Sequence, residues 1–330
     1  MKKNIWTSPF FLVLFPLAVL LLSLFIGRYP KPIFMPISLL LQDDLAQRLV
    51  FSLRLPRLLV AMLLGMSLSA AGGVMQMLFR NPLIEPGFLG VTQGAGFGAA
   101  LSILFLGTTP LLVEASATTF AIFGLVFSYF IARRIRFGGW VLRLILSGIA
   151  VSALFSAGLG ILKYLADPTS QLPTIVFWLL GGLGAVTWKD LLYIIPVVLI
   201  GITIIVLMRW RLNLLSLSDE TASSLGVSIK RERTLLLAVS VTITAVVVSI
   251  AGIVGWIGLI IPHIARRIAG ANAANFIPLS ISIGAVFGML CDDIARTAIA
   301  GEIPLGIITS LIGAFVFLLL MVSPNMKVQR

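Results

Sequence analysis

Apolar runs of about 20 residues recur along the whole chain, and they restrict the possible folds more than any other feature. A helix of roughly 20 apolar residues crosses a hydrocarbon core about 30 Å thick. Hydrophobic residues make up 59% of the 330 and charged residues only 11%, against about 45–50% and 25% in soluble domains, so we expect an all-α membrane protein. Ten spans are predicted, all within a single transmembrane domain over residues 1–330: 9–27, 55–79, 91–107, 111–131, 141–162, 190–208, 234–254, 256–270, 276–297 and 303–322.

Two of these spans depart from a regular apolar helix, and one further segment is too short to cross. The span 91–107 is short and rich in glycine, and we expect Pro262 to interrupt the span 256–270. The apolar centre of 167–190 has about half the length that a crossing needs, which predicts a short helix dipping into the outer face of the bundle. Small residues at a spacing of four in the second and third spans predict close helix packing.

The net charge of +12 is explained by membrane topology. An even number of spans places both termini on the same side of the membrane. If that side is the cytoplasm, 16 of the 24 lysines and arginines lie in cytoplasmic segments, in agreement with the positive-inside rule. A nucleic-acid partner would need these residues on one soluble face, and it is not expected.

The segment 209–233 is the longest polar interruption and lies on the cytoplasmic side in this topology. Ser218 and Thr221 are suitable helix caps and Gly226 is a suitable helix end, so the segment is expected to fold into short helices. The charged side chains that it could offer to a partner are Asp219, Glu220, Lys230, Arg231 and Arg233. A solvated loop without a partner is the alternative.

Few residues could carry chemistry inside the membrane. Asp292 and Asp293 could form a proton relay or bind a metal diphosphate, but an ion pair with Arg296 at the membrane edge explains them more simply. The single histidine, His263, and the single cysteine, Cys291, cannot build a metal site, so no metal and no catalytic residue is predicted. The sequence has no G-x-x-x-x-G-K-[ST] motif, so any ATP is expected on another chain, and no cofactor is expected on this one.

Two short motifs lie at the ends of the second span. In "RLPR", residues 54–57, the proline suits the first turn of a helix, and Arg54 and Arg57 share one helix face. In "RNPLIEPGFLG", residues 80–90, the Asn-Pro pair ends the span. Taken alone, these motifs indicate snorkelling anchors and a helix stop.

Four sequence blocks together resemble the permease subunits of the FecCD-type ABC importers for vitamin B12, haem and iron-siderophores. They cover essentially the whole chain in the order "RLPRLLVAMLLGMSLSAAGGVMQMLFRNPLIEPGFLGVTQGAG", "LLSLSDETASSLGVSIKRER", "GWIGLIIPHIARR" and "EIPLGIITSLIGAFVF". The resemblance implies a ten-helix permease with the vitamin-B12-importer type of fold, located in the inner membrane with both termini in the cytoplasm. It also implies a homodimer around a central pathway, two ABC ATPase subunits on the cytoplasmic side and a soluble substrate-binding protein on the other side.

The resemblance further implies roles for particular residues. Docking of the binding protein, through its glutamates, would use Arg54, Arg57 and Arg296. The cytoplasmic gate would be formed by Asn81, Pro82, Leu83, Gly139 and Trp140. Around the last two, this sequence has "RFGGW" where the family often has small hydroxyl residues. Coupling to the ATPase, through two short helices in the segment 209–233, would use Ser218, Asp219, Glu220, Thr221, Gly226, Lys230 and Arg231.

The cargo stays open at this point. The resemblance implies an iron-siderophore, haem or cobalamin-type metal chelate. Molybdate or tungstate is the alternative, because one branch of the family carries these oxyanions. An intramembrane enzyme that uses Asp292 and Asp293, and a passive channel, are the two other classes of function that we considered.

Overall fold

The computed structural model describes residues 8–30 and 33–322, and nearly all of their regular structure is helical. The helices are α1 (Pro9–Ser23), α2 (Ile37–Gln42), α3 (Asp44–Arg48), α4 (Leu55–Leu78), α5 (Val91–Leu101), α6 (Pro110–Arg134), α7 (Trp140–Leu165), α8 (Gln171–Leu180), α9 (Trp188–Leu207), α10 (Arg209–Leu215), α11 (Asp219–Ser224), α12 (Ile229–Ala251), α13 (Ile257–Ala269), α14 (Ala273–Thr297) and α15 (Leu305–Val322). The only strands among the described residues are β1 (Ile26–Gly27) and β2 (Ile33–Phe34), which pair antiparallel. The predicted all-α fold class is confirmed.

Each of the ten predicted spans contains a helix. Seven helical segments of the described chain are long and apolar enough to cross a membrane: Asp44–Leu78, Pro110–Arg134, Trp140–Leu165, Trp188–Leu207, Ile229–Ala251, Ala273–Thr297 and Leu305–Val322. The first and third predicted spans hold shorter apolar helices, and α8, with 10 residues, is the short helix expected within 167–190. The two chain ends, 1–7 and 323–330, lie outside the described residues, so their cytoplasmic orientation stays a prediction.

The prediction that Pro262 interrupts the eighth span is wrong. Helix α13 continues through Pro262, and the break lies before it, where Gly252 and Trp256 both have positive φ. Proline lacks the N–H that would bond the carbonyl of Gly258 four residues earlier. The side-chain amide of Gln76 donates to that carbonyl instead, at 3.2 Å, so the freed acceptor is satisfied by a neighbouring helix.

The centre of the bundle is formed by α4 and α14. The most apolar 18-residue stretch is 83% buried in the helical segment that contains α4 and 72% buried in α14, against 22% in α15. The two helices can approach closely because Gly65 has no side chain. A Cβ atom at this position would lie only 1.9 Å from the carbonyl oxygen of Gly284. Gly72 of α4 is equally close to Gly258 of α13. Lipid offers no hydrophobic force between helices, so this close packing is what holds them together.

The second span is longer than predicted at its beginning. A π-helical turn at Leu49–Arg54 joins α3 and α4 into one rod from Asp44 to Leu78. Pro56 lies in the first turn of α4, as predicted, but the helical chain continues upstream of it. Arg54 and Arg57 therefore do not lie at a free helix tip.

Candidate functional site

One end of the bundle gathers the three arginines that the resemblance assigned to docking. Arg54 and Arg57 come from the start of α4, and Arg296 comes from the last turn of α14. All three are about nine-tenths buried. The Arg54 guanidinium donates from Nη1 to the carbonyl oxygen of Leu24 at 3.0 Å. We call these three residues the arginine cluster, and the end of the bundle that holds them the arginine end.

Carboxylates of the same chain pair with the arginine cluster. Arg57 Nε lies 2.8 Å from Asp292 Oδ1, and Arg57 Nη1 lies 2.6 Å from Glu302 Oε1. Arg296 pairs with Asp293 and, from Nε, with Asp292 Oδ2 at 3.2 Å. Asp292 and Asp293 therefore serve as the counter-ions of buried arginines. No group of three or more His, Cys, Asp or Glu in the described part of the chain is arranged to hold a metal ion.

Docking of a partner's glutamates by these arginines stays a prediction, but any such partner would meet arginines that groups of the same chain already contact. Among the described residues, Arg57 and Arg296 already have carboxylate partners, because residues 298–304 fold Glu302 back onto the start of α4. The carboxylate that an incoming partner could displace is that of Glu302, whose side chain is 51% exposed. Asp292 is fully buried and lies out of reach.

At the other end of α4, the segment 209–233 folds into short helices, as predicted. The Ser218 hydroxyl accepts a hydrogen bond from the Thr221 N–H at 3.3 Å and caps α11. Gly226, with φ of 77°, lies just beyond the end of this helix. We expected Thr221 to be a second cap, but it lies inside α11.

Asp219 connects three segments at this end. Its carboxylate accepts two hydrogen bonds from Arg233 of α12, at 2.6 and 3.0 Å, and lies 3.8 Å from the guanidinium of Arg80, just after α4. The Arg233 guanidinium also lies over the ring of Trp140, 5.1 Å from its centroid, which is a cation–π contact. The hydrogen bonds from Arg233 lower the pKa of Asp219, and the nearby charges of Arg233 and Arg80 lower it further. We call this end of the bundle the Asp219 end.

This arrangement corrects the expected set of partner-binding charges. Arg233 is only 6% exposed and is held by Asp219 and Trp140, so it does not present its charge to a partner. The 14 residues that separate Arg233 from Asp219 gave no local signal of pairing. Five charged side chains of the segment are exposed: Asp219, which is bonded to Arg233, Arg211, which pairs with Glu232, and Glu220, Lys230 and Arg231, which have no ion pair among the described residues.

The two segments expected to form the gate lie side by side at the Asp219 end. The rings of Phe79 and Trp140 meet with their centroids 5.4 Å apart. The Asn81 side chain accepts a hydrogen bond from the Leu83 N–H at 2.9 Å, which makes a turn directly after α4. The exposed members of the expected gate are Pro82, Leu83 and Gly139.

An open cavity of about 830 Å³ lies along α8, α13 and α15. Its lining is apolar apart from Glu85, Ser310 and backbone groups, and none of the described residues that line it is a lysine or arginine. The Glu85 carboxylate accepts a hydrogen bond from the N–H of Trp256, at the break before α13. Burial raises the pKa of Glu85, and the bond from Trp256 partly offsets this rise. Sequence reasoning missed both residues, although a carboxylate within the apolar motif "RNPLIEPGFLG" was a signal for Glu85.

A bundle of several membrane-length apolar helices with an open apolar cavity has the architecture of a membrane permease. The chain is a member of the FecCD transport family, whose family model matches residues 13–323. It is thus the permease subunit of an ABC importer and a multi-pass membrane protein, and it works with an ATPase on another chain. It is a transport subunit and not an enzyme, so the intramembrane enzyme and the passive channel are set aside.

Individual relatives share most of their length with this chain. The molybdate import system permease protein of Haemophilus influenzae is 38% identical over 318 residues, which cover 92% of this chain and 94% of that protein. The hemin transport system permease protein of Yersinia pestis is 37% identical and is covered to 84%, as is this chain. A solved inward-facing structure described as a metal-chelate type ABC transporter has 37% identity and a TM-score of 0.87, covering 94% of this chain and 97% of that one.

Proposed function

We propose that two copies of this chain form the membrane pathway of a binding-protein-dependent importer. Two ATPase subunits bind the Asp219 end in the cytoplasm, and a soluble binding protein docks at the arginine end, outside the inner membrane. The observation that carries this proposal is the single central helix α4, which leads from the arginine cluster to the gate residue Asn81. The excess of basic residues on the side of the Asp219 end supports the orientation.

The contacts around Asp219 give a physical route for coupling. A movement of α11 changes the position of Asp219 relative to Arg80, which directly precedes Asn81. The same movement acts on Trp140 through Arg233, because one guanidinium contacts both. Both expected gate segments are therefore linked to the helix that we place against the ATPase.

The cargo that fits the cavity best is a bulky metal chelate. A volume of about 830 Å³ with an apolar lining suits a large, partly apolar ligand. A small oxyanion would find no basic side chain in this lining and would face the carboxylate of Glu85. Molybdate is the second candidate, because the molybdate permease of Haemophilus influenzae is similar over nearly its full length.

Reconstitution with the ATPase and the binding protein in lipid vesicles tests the proposal. We expect ATP-dependent uptake of an iron-siderophore, haem or cobalamin, and no uptake of molybdate from the same vesicles. Vesicles without the ATPase are the control. Uptake of molybdate alone would establish the second candidate, and equal uptake with and without the ATPase would refute the importer.

The partner-binding charges are tested in the same vesicles. Reversing Glu220, Lys230 and Arg231 should weaken ATPase binding, since these exposed charges set encounter and orientation. A double reversal of Arg134 and Arg136, which are exposed at and just after the end of α6 and do not line the pocket around Asp219, is the control. Equal ATPase binding by both variants would show that the exposed charges of 209–233 do not contact the ATPase.

A further inference from the structure

A basic pocket lies between α6, α7 and α12 at the Asp219 end. It has a volume of about 360 Å³ and shares no lining residue with the larger cavity. Among the described residues that line it, the one carboxylate is Asp219, which is already bonded to Arg233. The basic side chains that line it without a carboxylate partner in the described part of the chain are Arg133, Arg143 and Lys230. The pocket therefore carries an uncompensated positive charge.

An open groove continues from this pocket along α12. The pocket and the groove share Tyr129, Ile229, Lys230 and Thr234. The groove has a volume of about 860 Å³, and its far end is lined by Leu235 and Ala238. Lys230 and Arg231 line the near end of the groove, so the basic region passes along α12 into an apolar far end, an arrangement that suits a phosphate headgroup followed by its acyl chain.

Much of the surface of α6 and α7 beside the pocket is apolar and is not covered by other helices of the same chain. The most apolar 18-residue stretches of α6 and α7 are each only 33% buried within the chain. Large apolar side chains on these helices are exposed, among them Phe123, Phe130 and Leu146. Trp140 at the rim of the pocket is of the aromatic type that is enriched at the membrane–water interface.

The beginning of α12 adds to the attraction for an anion. Ser228 precedes the helix and makes no side-chain capping bond, so the first backbone N–H groups of this 23-residue helix have no cap. The positive end of the helix dipole lies beside Ile229 and Lys230, which line the pocket. The acidic residue of this first turn, Glu232, pairs with Arg211 at 3.5 Å and does not line the pocket.

We propose that this pocket binds the phosphate of an anionic phospholipid, whose acyl chain lies in the groove along α12. Arginine guanidinium groups bind phosphate oxygens through two parallel hydrogen bonds, and the lysine adds a point charge. Basic pockets between membrane helices are recognised binding sites for anionic head groups. Free phosphate shares the headgroup chemistry but makes no use of the apolar groove, so the lipid binds far more tightly.

A bound lipid would contact the side chains that join α11 to the gate. Arg233 and Trp140 both line the pocket, and their cation–π contact forms part of its wall. The lipid phosphate stabilises the arrangement of basic groups around this contact. The ATPase activity of the assembled transporter should therefore rise with the anionic lipid content of the membrane.

The test measures lipid binding by the purified transporter in detergent. Phosphatidylglycerol is expected to raise the melting temperature of the wild type, whereas phosphatidylcholine and inorganic phosphate at equal concentration leave it unchanged. The double variant R133Q/R143Q should bind phosphatidylglycerol at least ten-fold more weakly. The matched control R134Q/R136Q removes the same charge from the same connection, outside the pocket lining, and should keep wild-type binding.

Two outcomes would overturn the proposal. Equal loss in both double variants would assign the effect to general surface charge, and an equal shift with inorganic phosphate would assign the site to a free anion. A photoactivatable phosphatidylglycerol gives a second measurement that needs no variant. It should label peptides containing Tyr129 and Leu235 in the wild type, and labelling confined to other helices would equally refute the site.

Discussion

Replacing Asp292 with Asn should destabilise the protein far more than replacing Glu302 with Gln. Asp292 is fully buried between Arg57 and Arg296, and Asn keeps its shape but removes the charge that both guanidinium groups need. Removing one partner of a buried ion pair costs about 3–5 kcal/mol. The side chain of Glu302 is 51% exposed, so water screens its pair with Arg57. E302Q should therefore lower the free energy of unfolding by at most about 1 kcal/mol, which is less than the loss expected for D292N.

The assay is equilibrium unfolding of the detergent-solubilised chain, followed by circular dichroism in increasing denaturant. Wild type, D292N and E302Q are compared at low salt and at high salt. High salt should narrow the difference between wild type and E302Q, because exposed pairs are screened. It should leave the effect of D292N nearly unchanged, because Asp292 has no contact with solvent.

A loss below about 1 kcal/mol for D292N, or equal losses for both variants, would refute the buried network at the arginine end. The result also decides how docking is tested. Arg57→Ala removes one of the two arginine partners of Asp292, so a transport defect in that variant would reflect lost stability and would not by itself show lost docking. E302Q frees Arg57 at little cost in stability, and it should speed association of the binding protein if a partner's carboxylate takes the place of Glu302.

Three further predictions follow from packing and from Asp219. Gly72→Ala places a Cβ atom 1.9 Å from the Gly258 carbonyl oxygen, where ordinary contact begins at 3.4 Å, so thermal unfolding should show a loss of stability of about 1–3 kcal/mol. The control Gly160→Ala has nothing within 4 Å of the new Cβ atom and should be neutral or stabilising. Equal effects of the two substitutions would contradict the close packing. Arg233→Lys keeps the charge but loses the two parallel hydrogen bonds to Asp219, so cargo-stimulated ATP hydrolysis should fall in reconstituted vesicles, and wild-type stimulation would exclude this route of coupling. The pKa of Asp219 is lowered, so its pair with Arg233 stabilises α11 at pH values above the unfolded carboxyl pKa of about 3.9, and this stabilisation is lost as the pH falls through the lower folded pKa. Hydrogen exchange of α11 should therefore become faster only below about pH 4. A D219N variant that kept this pH dependence would disprove the assignment.

Much of this architecture follows from the sequence because its causes are local or come from the bilayer. The thickness of the hydrocarbon core sets the length of an apolar run, so the seven helical segments that are long enough to cross and the short α8 could be predicted. The cap of α11 depends on Ser218 and a backbone group three residues away. Such features need no knowledge of the remaining fold.

The pairings that distinguish this protein depend on tertiary structure. Arg57 and Asp292 are 235 residues apart, and the amide of Gln76 that replaces the missing donor of Pro262 lies 182 residues from its acceptor. Whether an arginine faces a partner or a carboxylate of its own chain depends on how α4 and α14 pack, and that packing depends on backbone contacts at Gly65 and Gly284. The sequence determined which residues are charged and where helices run; only the packing of those helices decided which charges meet, because ion pairs and hydrogen bonds act over a few ångströms of space and not along the chain.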